Sequence, residues 1–143
     1  MTKTILYIHQ SAELYGSDKT LLYLANGIND HSNFNVIVVI PNDEPLKKKL
    51  EEYNINVIIS PIIKVSRSMF TLKSLLLLPF TIIKSVNKLK QTLKGIKIDV
   101  VHSNTLAVLV GAFFAKRYKI KHIWHIHEII EKRFYNKLYH HYY

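Results

Sequence analysis

The stretch that decides the fold is residues 35–41, which read NVIVVIP. Every residue from 36 to 40 is Val or Ile, and Pro41 then ends the run. An unbroken β-branched segment is typical of a strand buried on both faces, as in parallel sheets covered by helices. This stretch therefore predicts a central strand of a helix-covered parallel sheet.

On both sides of this strand, short apolar segments alternate with segments of helical periodicity. Apolar residues recur at helical spacing from Ser17 to residue 28, with Ser17 or Asp18 as the predicted N-cap. Further strands are predicted at residues 4–9, 56–60, 98–102 and 121–126, and further helices at residues 44–53, 72–94, 106–118 and 128–143. Pro79 should kink or split the helix over residues 72–94, because proline lacks an N–H and clashes with a carbonyl of the preceding turn. The alternation predicts an α/β fold, a single domain with a Rossmann-like, doubly wound parallel sheet.

Length and composition restrict the class of protein. A chain of 143 residues with 48% hydrophobic content is about one domain and can bury a core. There is no cysteine, so a disulfide framework, a thiolate metal site and a cysteine nucleophile are excluded. The apolar run that follows Lys3 is too short for a secretory signal, so we expect a cytoplasmic protein.

The net charge of +10 is concentrated in one part of the chain. No acidic residue occurs between Glu52 and Asp99, an interval rich in lysine that suits anionic partners such as phospholipid head groups, nucleic acid or phosphorylated substrates. The residues that we predict to contact a membrane are Lys84, Lys88 and Lys90. Beside the apolar residues at 75–78, 80, 82 and 83, they would rest at the inner face of the plasma membrane. The alternative is a solvated lysine face on a helix that covers the sheet.

The residues that follow each strand are the candidates for a site, because parallel sheets bind ligands beyond the carboxyl ends of their strands. Histidine stands at three of these junctions, as His9, His102 and His127. Gly16 permits close approach of a ligand to the first helix, whose free N–H groups favour an anion. A single glycine is neither the dinucleotide fingerprint nor the Walker loop, which disfavours nicotinamide-dependent oxidoreductases and nucleoside triphosphatases. The histidines at 122–127 lack a carboxylate at ligand spacing, so we expect no metal and no cofactor.

Three segments together resemble the family 4 glycosyltransferases of the GT-B fold. Residues 14–22 (LYGSDKTLL) resemble the first loop and helix of that family. Residues 99–105 (DVVHSNT) are similar to its fourth-strand motif, and residues 122–128 (HIWHIHE) to its fifth-strand motif. The segments occur in the family's order, and the resemblance extends over essentially the whole chain.

The resemblance implies that residues 1–143 are the amino-terminal, acceptor-side half of a GT-B enzyme, and that the carboxyl-terminal, donor-binding half is absent. It implies retaining transfer of a hexose from a nucleotide-sugar to a lipid-linked or polysaccharide acceptor, without a metal, in polysaccharide biosynthesis. By position, His127 would be the catalytic residue. The residues implied in substrate binding are Gly16, Ser103, Asn104, Thr105 and Glu128. Alone, the chain would be inactive, as a truncated product or as the partner of a separate carboxyl-terminal subunit.

Two functions of other classes remain open at this stage. One is a stand-alone α/β interaction module that docks on a complete enzyme. The other is a basic nucleic-acid binder, which is disfavoured because the lysine-rich interval has leucine rather than stacking aromatics between its charges. We therefore expect no nucleic-acid partner.

Overall fold

The computed structural model of the chain describes residues 2–62, 71–105 and 108–126. Within these residues, strands and helices alternate from the first element to the last. The elements are β1 (Lys3–His9), α1 (Gly16–Asn29), β2 (Phe34–Ile40), α2 (Pro45–Glu52), β3 (Asn56–Ile59), α3 (Leu72–Thr92), β4 (Val100–Asn104), α4 (Leu109–Tyr118) and β5 (Lys121–His125). The helix predicted over residues 128–143 lies outside the described residues.

The strands form one parallel sheet in the order β3-β2-β1-β4-β5. The chain starts in the middle at β1, runs to one edge through β2 and β3, and then crosses to β4 on the other side of β1. The direction of winding thus reverses between β1 and β4, which is where ligands bind in open sheets of this kind. The predicted Rossmann-like, doubly wound α/β fold is confirmed.

Each face of the sheet is covered by two helices. On one face, Tyr7 and Val38 of the sheet pack with Leu21 of α1 and Leu46 of α2. On the other face the sheet packs against α3 and α4, and the buried residues include Leu6, Ile8, Val86, Val101 and Phe114. Residues 36–40 of β2 are all buried, as their unbroken β-branched sequence predicts.

Of the two predicted effects of Pro79, a kink or a split, the split is wrong, since α3 is one helix from Leu72 to Thr92 with Pro79 inside it. Proline removes one backbone hydrogen bond from the helix. In the turns after Pro79, however, Ile82, Val86 and Leu89 are buried against the sheet and stabilise the helix. Tertiary packing therefore overrides the local preference. Within the described residues, no helix is long and apolar enough to cross a bilayer.

Two predicted boundaries move in ways that matter for the site. The N-cap of α1 is Tyr15 instead of Ser17 or Asp18, and Asp18 lies in the first turn. The fourth strand runs from Val100 to Asn104 instead of residues 98–102. Ser103 and Asn104 are therefore members of the strand and not of the loop that follows it.

Candidate functional site

The candidate site lies at the carboxyl ends of β1 and β4, where the winding of the sheet reverses. His9 ends β1, Asn104 ends β4, and these two residues are direct partners in the parallel pairing. The chain leaves β1 through residues 10–15 and enters α1 at Gly16. The amino-terminal end of α1 is thereby placed beside the last residue of β4.

Asp18 anchors the loop between β1 and α1. One carboxylate oxygen, Oδ2, accepts hydrogen bonds from the backbone N–H groups of Leu14 at 2.8 Å and Tyr15 at 3.0 Å. The other, Oδ1, lies 2.5 Å from both Ser11 Oγ and His9 Nε2. Burial by itself would raise the pKa of Asp18, but the hydrogen bonds from His9, Ser11 and Tyr15 outweigh it and lower this pKa to about 2. The carboxylate is ionised at neutral pH.

Asn104 connects the end of β4 to this network. Its side-chain Nδ2 lies 3.0 Å from His9 Nδ1 and donates to the backbone carbonyl of Ser17 at 3.3 Å. His9 and Asn104 are both fully buried. The Asn104 Oδ1 atom has no hydrogen-bond partner among the described residues. The ends of two strands and the first turn of a helix are thus joined by side-chain hydrogen bonds.

Gly16 is exposed at the start of α1, and a Cβ atom added there would meet nothing within 4 Å. Space is therefore open in front of the free N–H groups of the first helical turn, where an anion is favoured. Leu14, two residues earlier, has a φ of 74°, a conformation that is unfavourable for a residue with a side chain. The loop reaches the open helix end through a strained residue, which the bonds to Asp18 hold in place.

Ser103 lies under α4. It is fully buried, and its Oγ is 2.9 Å from His122 Nε2. A Cβ atom at Gly111 of α4 would come within 2.0 Å of that oxygen, so the helix can approach this part of β4 only because residue 111 is glycine.

Thr105 follows β4 with a φ of 94°, a rare conformation for a β-branched residue. Its N–H donates to the carbonyl of His125 at 2.9 Å, and its carbonyl accepts from the indole Nε1 of Trp124 at 2.8 Å. The Thr105 hydroxyl is buried without a partner in the described part of the chain. β5 thus holds the strained turn that ends β4.

A group of aromatic rings lies below the site, toward the middle of the sheet. Tyr7 stacks on His102 with centroids 4.6 Å apart, and His102 meets His125 edge-on at 5.7 Å. Burial raises the pKa of Tyr7 to about 12. Burial, with smaller contributions from His125 and His122, lowers the pKa of His102 to about 4. Both rings are neutral near pH 7, which suits a packing role.

The structure places Asn104 beside the first turn of α1 that starts at Gly16, whereas Ser103 contacts α4 and β5 and Thr105 is held by β5. His127 and Glu128 lie outside the described residues. Sequence reasoning noted His9 as a strand-end residue and Asp18 as a cap, but it did not connect them. The available signal was an acidic residue three positions after the helix cap, the spacing at which a side chain returns to the cap N–H. Within the described ranges, no group of three His, Cys, Asp or Glu residues could hold a metal ion.

The predicted membrane-contact lysines lie on α3. Lys84 and Lys88 line a surface groove of about 470 Å³ together with Phe80 and Ile83. The Nζ atom of Lys90 lies over the ring of Tyr118, 4.9 Å from its centroid. Lys90 thus faces α4, away from the groove.

Comparison with known proteins identifies the family. The model of Glycosyltransferase Family 4 matches residues 15–143. The chain belongs to this family. No curated protein matches it in sequence.

Solved structures of the same fold include several glycosyltransferases. HepE of Anabaena, in complex with UDP, superposes with a TM-score of 0.63 and 23% identity over 92% of this chain and 30% of its own. MurG of Acinetobacter baumannii gives a TM-score of 0.64 and 18% identity over 96% of this chain and 39% of its own. A UDP-GlcNAc 2-epimerase of Neisseria meningitidis, bound to UDP-GlcNAc, gives 0.58 and 14% identity over 93% of this chain and 34% of its own. The family 4 chain thus spans about a third of the length of the solved structures that it matches.

Proposed function

We propose that this chain is the amino-terminal, acceptor-side domain of a retaining glycosyltransferase that moves a hexose from a nucleotide-sugar to a lipid-linked or polysaccharide acceptor. A second, donor-binding half, on a separate subunit or on the same polypeptide, would form the other wall of the cleft. The observation that carries the proposal is the open amino-terminal end of α1 at Gly16, beside the carboxyl ends of β1 and β4. HepE, which has the same fold, was crystallised with UDP, which supports a nucleotide-sugar as the donor.

In this proposal, the first turn of α1 faces the diphosphate of the donor. Its free N–H groups and the positive end of the helix dipole stabilise the charge that grows on the diphosphate as the bond to the sugar breaks. Gly16 leaves room for that approach, because no side chain stands in front of the helix. In the transfer, the anomeric carbon exchanges its bond to the diphosphate oxygen for a bond to the acceptor oxygen. The nucleoside diphosphate and the acceptor's proton are released.

The other proposed site residues act on the acceptor side. His127 donates a hydrogen bond to a sugar hydroxyl or supports developing negative charge, and Glu128 binds the acceptor beside it; both roles rest on the family resemblance. Ser103, Asn104 and Thr105 shape this side of the cleft from beneath, since their side chains are buried.

A reconstitution experiment tests the function. The chain is mixed with a donor-binding half, produced from the same polypeptide or from a separate subunit, and sugar transfer and UDP release are measured with a panel of nucleotide-sugars. We expect transfer only when both parts are present, and loss of transfer on His127→Ala. If the two halves bind each other but transfer no sugar, the result would favour the hypothesis that the chain is an interaction module.

Two glycines of α1 supply a matched pair of variants. Gly16 and Gly27 are both exposed, and a Cβ atom at either position meets nothing within 4 Å. Gly16→Leu should abolish transfer by filling the space in front of the helix, whereas Gly27→Leu, about three turns farther along α1, should leave transfer unchanged. Equal activity of the two variants would contradict a phosphate position at Gly16.

We also propose that the outer face of α3 contacts the inner face of the plasma membrane. Phe80 is 71% exposed and Ile83 49% exposed, and both border the groove lined by Lys84 and Lys88. Apolar side chains beside lysines favour an anionic bilayer surface. There the apolar side chains enter the interface and the lysine charges meet the lipid head groups.

Vesicle sedimentation tests this contact. Replacing Lys84, Lys88 and Lys90 by Glu should abolish binding to anionic vesicles, because Lys84 and Lys88 border the proposed contact and all three changes reverse a charge on α3. The charge-matched control replaces the exposed lysines Lys19, Lys48 and Lys121, which lie on α1, α2 and β5. Unchanged binding of the α3 variant would reject the proposal. A loss equal in the two variants would show that only net charge matters.

A further inference from the structure

The loop that leads to Gly16 depends on a single carboxylate. Asp18 accepts the N–H groups of Leu14 and Tyr15 with one oxygen, and Leu14 is held at a φ of 74°. The same loop is also tied to α2 through the carbonyl of Ala12, which accepts the N–H of Leu46 at 2.9 Å. The position of Asp18 therefore decides where the strained end of the loop, and with it the start of α1, is held.

Asp18 is itself oriented by His9. The His9 Nε2 atom lies 2.5 Å from Asp18 Oδ1, and both side chains are buried. A buried carboxylate is held in one orientation only when its oxygens meet fixed donors. Ser11 also donates to Oδ1, but its half-buried hydroxyl can reorient about the Cβ–Oγ bond, whereas the imidazole is fully buried at the end of β1.

Asn104 decides which nitrogen of His9 carries the proton. The Asn104 Nδ2 group donates to the carbonyl of Ser17, which fixes the orientation of the amide. The same Nδ2 group lies 3.0 Å from His9 Nδ1, so Nδ1 must accept and Nε2 must carry the hydrogen that is donated to Asp18. The competing contact, from Nδ1 to the carbonyl of Asn104, is longer at 3.4 Å.

We infer that His9, locked in its Nε2–H tautomer by Asn104, is a positioning residue that acts through Asp18 to hold the loop before Gly16 in its active geometry. The inference rests on the proposed function, because it gives the His9–Asp18 pair a role in presenting the end of α1 to the donor. It assigns Asn104 a role beyond shaping the acceptor side. Neither His9 nor Asp18 touches substrate in this scheme, since both are buried.

The first test is spectroscopic and needs no activity. Long-range ¹⁵N–¹H correlation of the histidine rings in the full chain should show His9 as the Nε2–H tautomer at neutral pH, with its signals assigned by their loss in His9→Gln. In Asn104→Leu, which removes the donor to Nδ1, the His9 signals should change. A wild-type Nδ1–H tautomer would overturn the inference.

The second test uses two polar replacements of His9 that reach different partners. The amide nitrogen of glutamine occupies nearly the place of His Nε2 and still reaches Asp18, whereas that of asparagine corresponds to Nδ1 and does not. We expect His9→Asn to lower kcat of the reconstituted enzyme roughly tenfold or more, and His9→Gln to retain most of it. His31→Asn, at an exposed histidine, serves as the control. Equal kcat for the two His9 variants would overturn the inference.

Amide hydrogen exchange keeps the inference testable if no transfer is found. Exchange at the Leu14 and Tyr15 N–H groups should be roughly tenfold faster in His9→Asn than in His9→Gln, with the amides of β2 unchanged. Failure of the wild-type mixture to transfer sugar would refute the proposed function, while this exchange result decides the positioning role separately. Equal exchange in the two variants would count against His9, whether or not the enzyme is active.

Discussion

The carboxyl edge of the sheet and the outer face of α3 differ in how their charged side chains are placed. At the edge, Asp18 is buried and ionised, and four donors surround it. On α3, Lys84 and Lys88 stand in solvent beside exposed Phe80, and no acidic residue lies anywhere in that helix. At the edge a buried charge holds the backbone in place, whereas the charges on α3 are exposed to solvent, where the proposed membrane contact would use them.

The difference has a physical cause. A buried charge is tolerated only with a full set of hydrogen bonds, so each donor at the edge is tied to one geometry. An exposed lysine needs no partner and contributes little to stability. Variants at the edge should therefore change folding and geometry together, and variants on α3 should change binding alone.

The largest expected effect is the loss of the carboxylate at the edge. Asp18→Ala leaves four donors without their acceptor, and we expect it to lower the free energy of unfolding by about 3 kcal/mol or more. Urea denaturation monitored by circular dichroism measures the change. Asp43→Ala, which removes an exposed carboxylate that pairs with Lys47, is the control and should have little effect. Equal losses from the two variants would refute the contrast between buried and exposed acids.

The next effect depends on pH and comes from His102. Its folded pKa of about 4 lies below the unfolded value of 6.5, so the unfolded chain binds the proton first as the pH falls. The stability it contributes is complete well above pH 6.5 and is lost as the pH falls through 4, with a total change of roughly 3 kcal/mol. His102→Gln should flatten the profile between these values. An unchanged slope would assign the acid sensitivity to other groups, such as His122, whose pKa burial also lowers.

A smaller effect tests how tightly α4 covers Ser103. Gly111→Ala places a methyl group against the Ser103 hydroxyl, and we expect a loss of about 1–3 kcal/mol from overpacking. Gly27→Ala, in open space on α1, should instead gain about 0.5–1 kcal/mol through higher helix propensity. Thermal unfolding of both variants measures the difference, and stabilisation by Gly111→Ala would show that the helix can move away from β4.

The smallest expected change in stability is at the outer face of α3. Phe80→Ser removes a side chain that is 71% exposed, and the free energy of unfolding should stay within about 0.5 kcal/mol. Binding to anionic vesicles should nevertheless fall, because the apolar part of the contact is lost. A large drop in stability would show that Phe80 belongs to the core and not to a docking surface.

Local patterns in the sequence were sufficient for the order of elements. Residues 36–40 predicted a buried central strand and form one, because a strand covered on both faces must be apolar throughout. The parallel sheet followed from the alternation of strands and helices. Pro79 shows the limit, since it does not end α3, which continues through it and packs on the sheet.

The site was predictable only in part. Gly16 and residues 103–105 were named from their positions after strands, and of these Asn104 reaches the first turn of α1 through the carbonyl of Ser17. The hydrogen bonds between His9 and Asp18, nine residues apart, and between His9 and Asn104, ninety-five apart, have no periodic signal in the chain. The predicted roles of His127 and Glu128 stay predictions, since these residues lie outside the described part.

The sequence by itself determined the class of fold and its family, because strand and helix periodicity and the three short motifs depend on neighbours along the chain. Only the tertiary structure decided that β1 lies between β2 and β4, and that Asn104 therefore meets His9 and the first turn of α1. The reason is that strand order is set by how helices cover both faces of the sheet. Residues distant in sequence become partners only after that packing has formed.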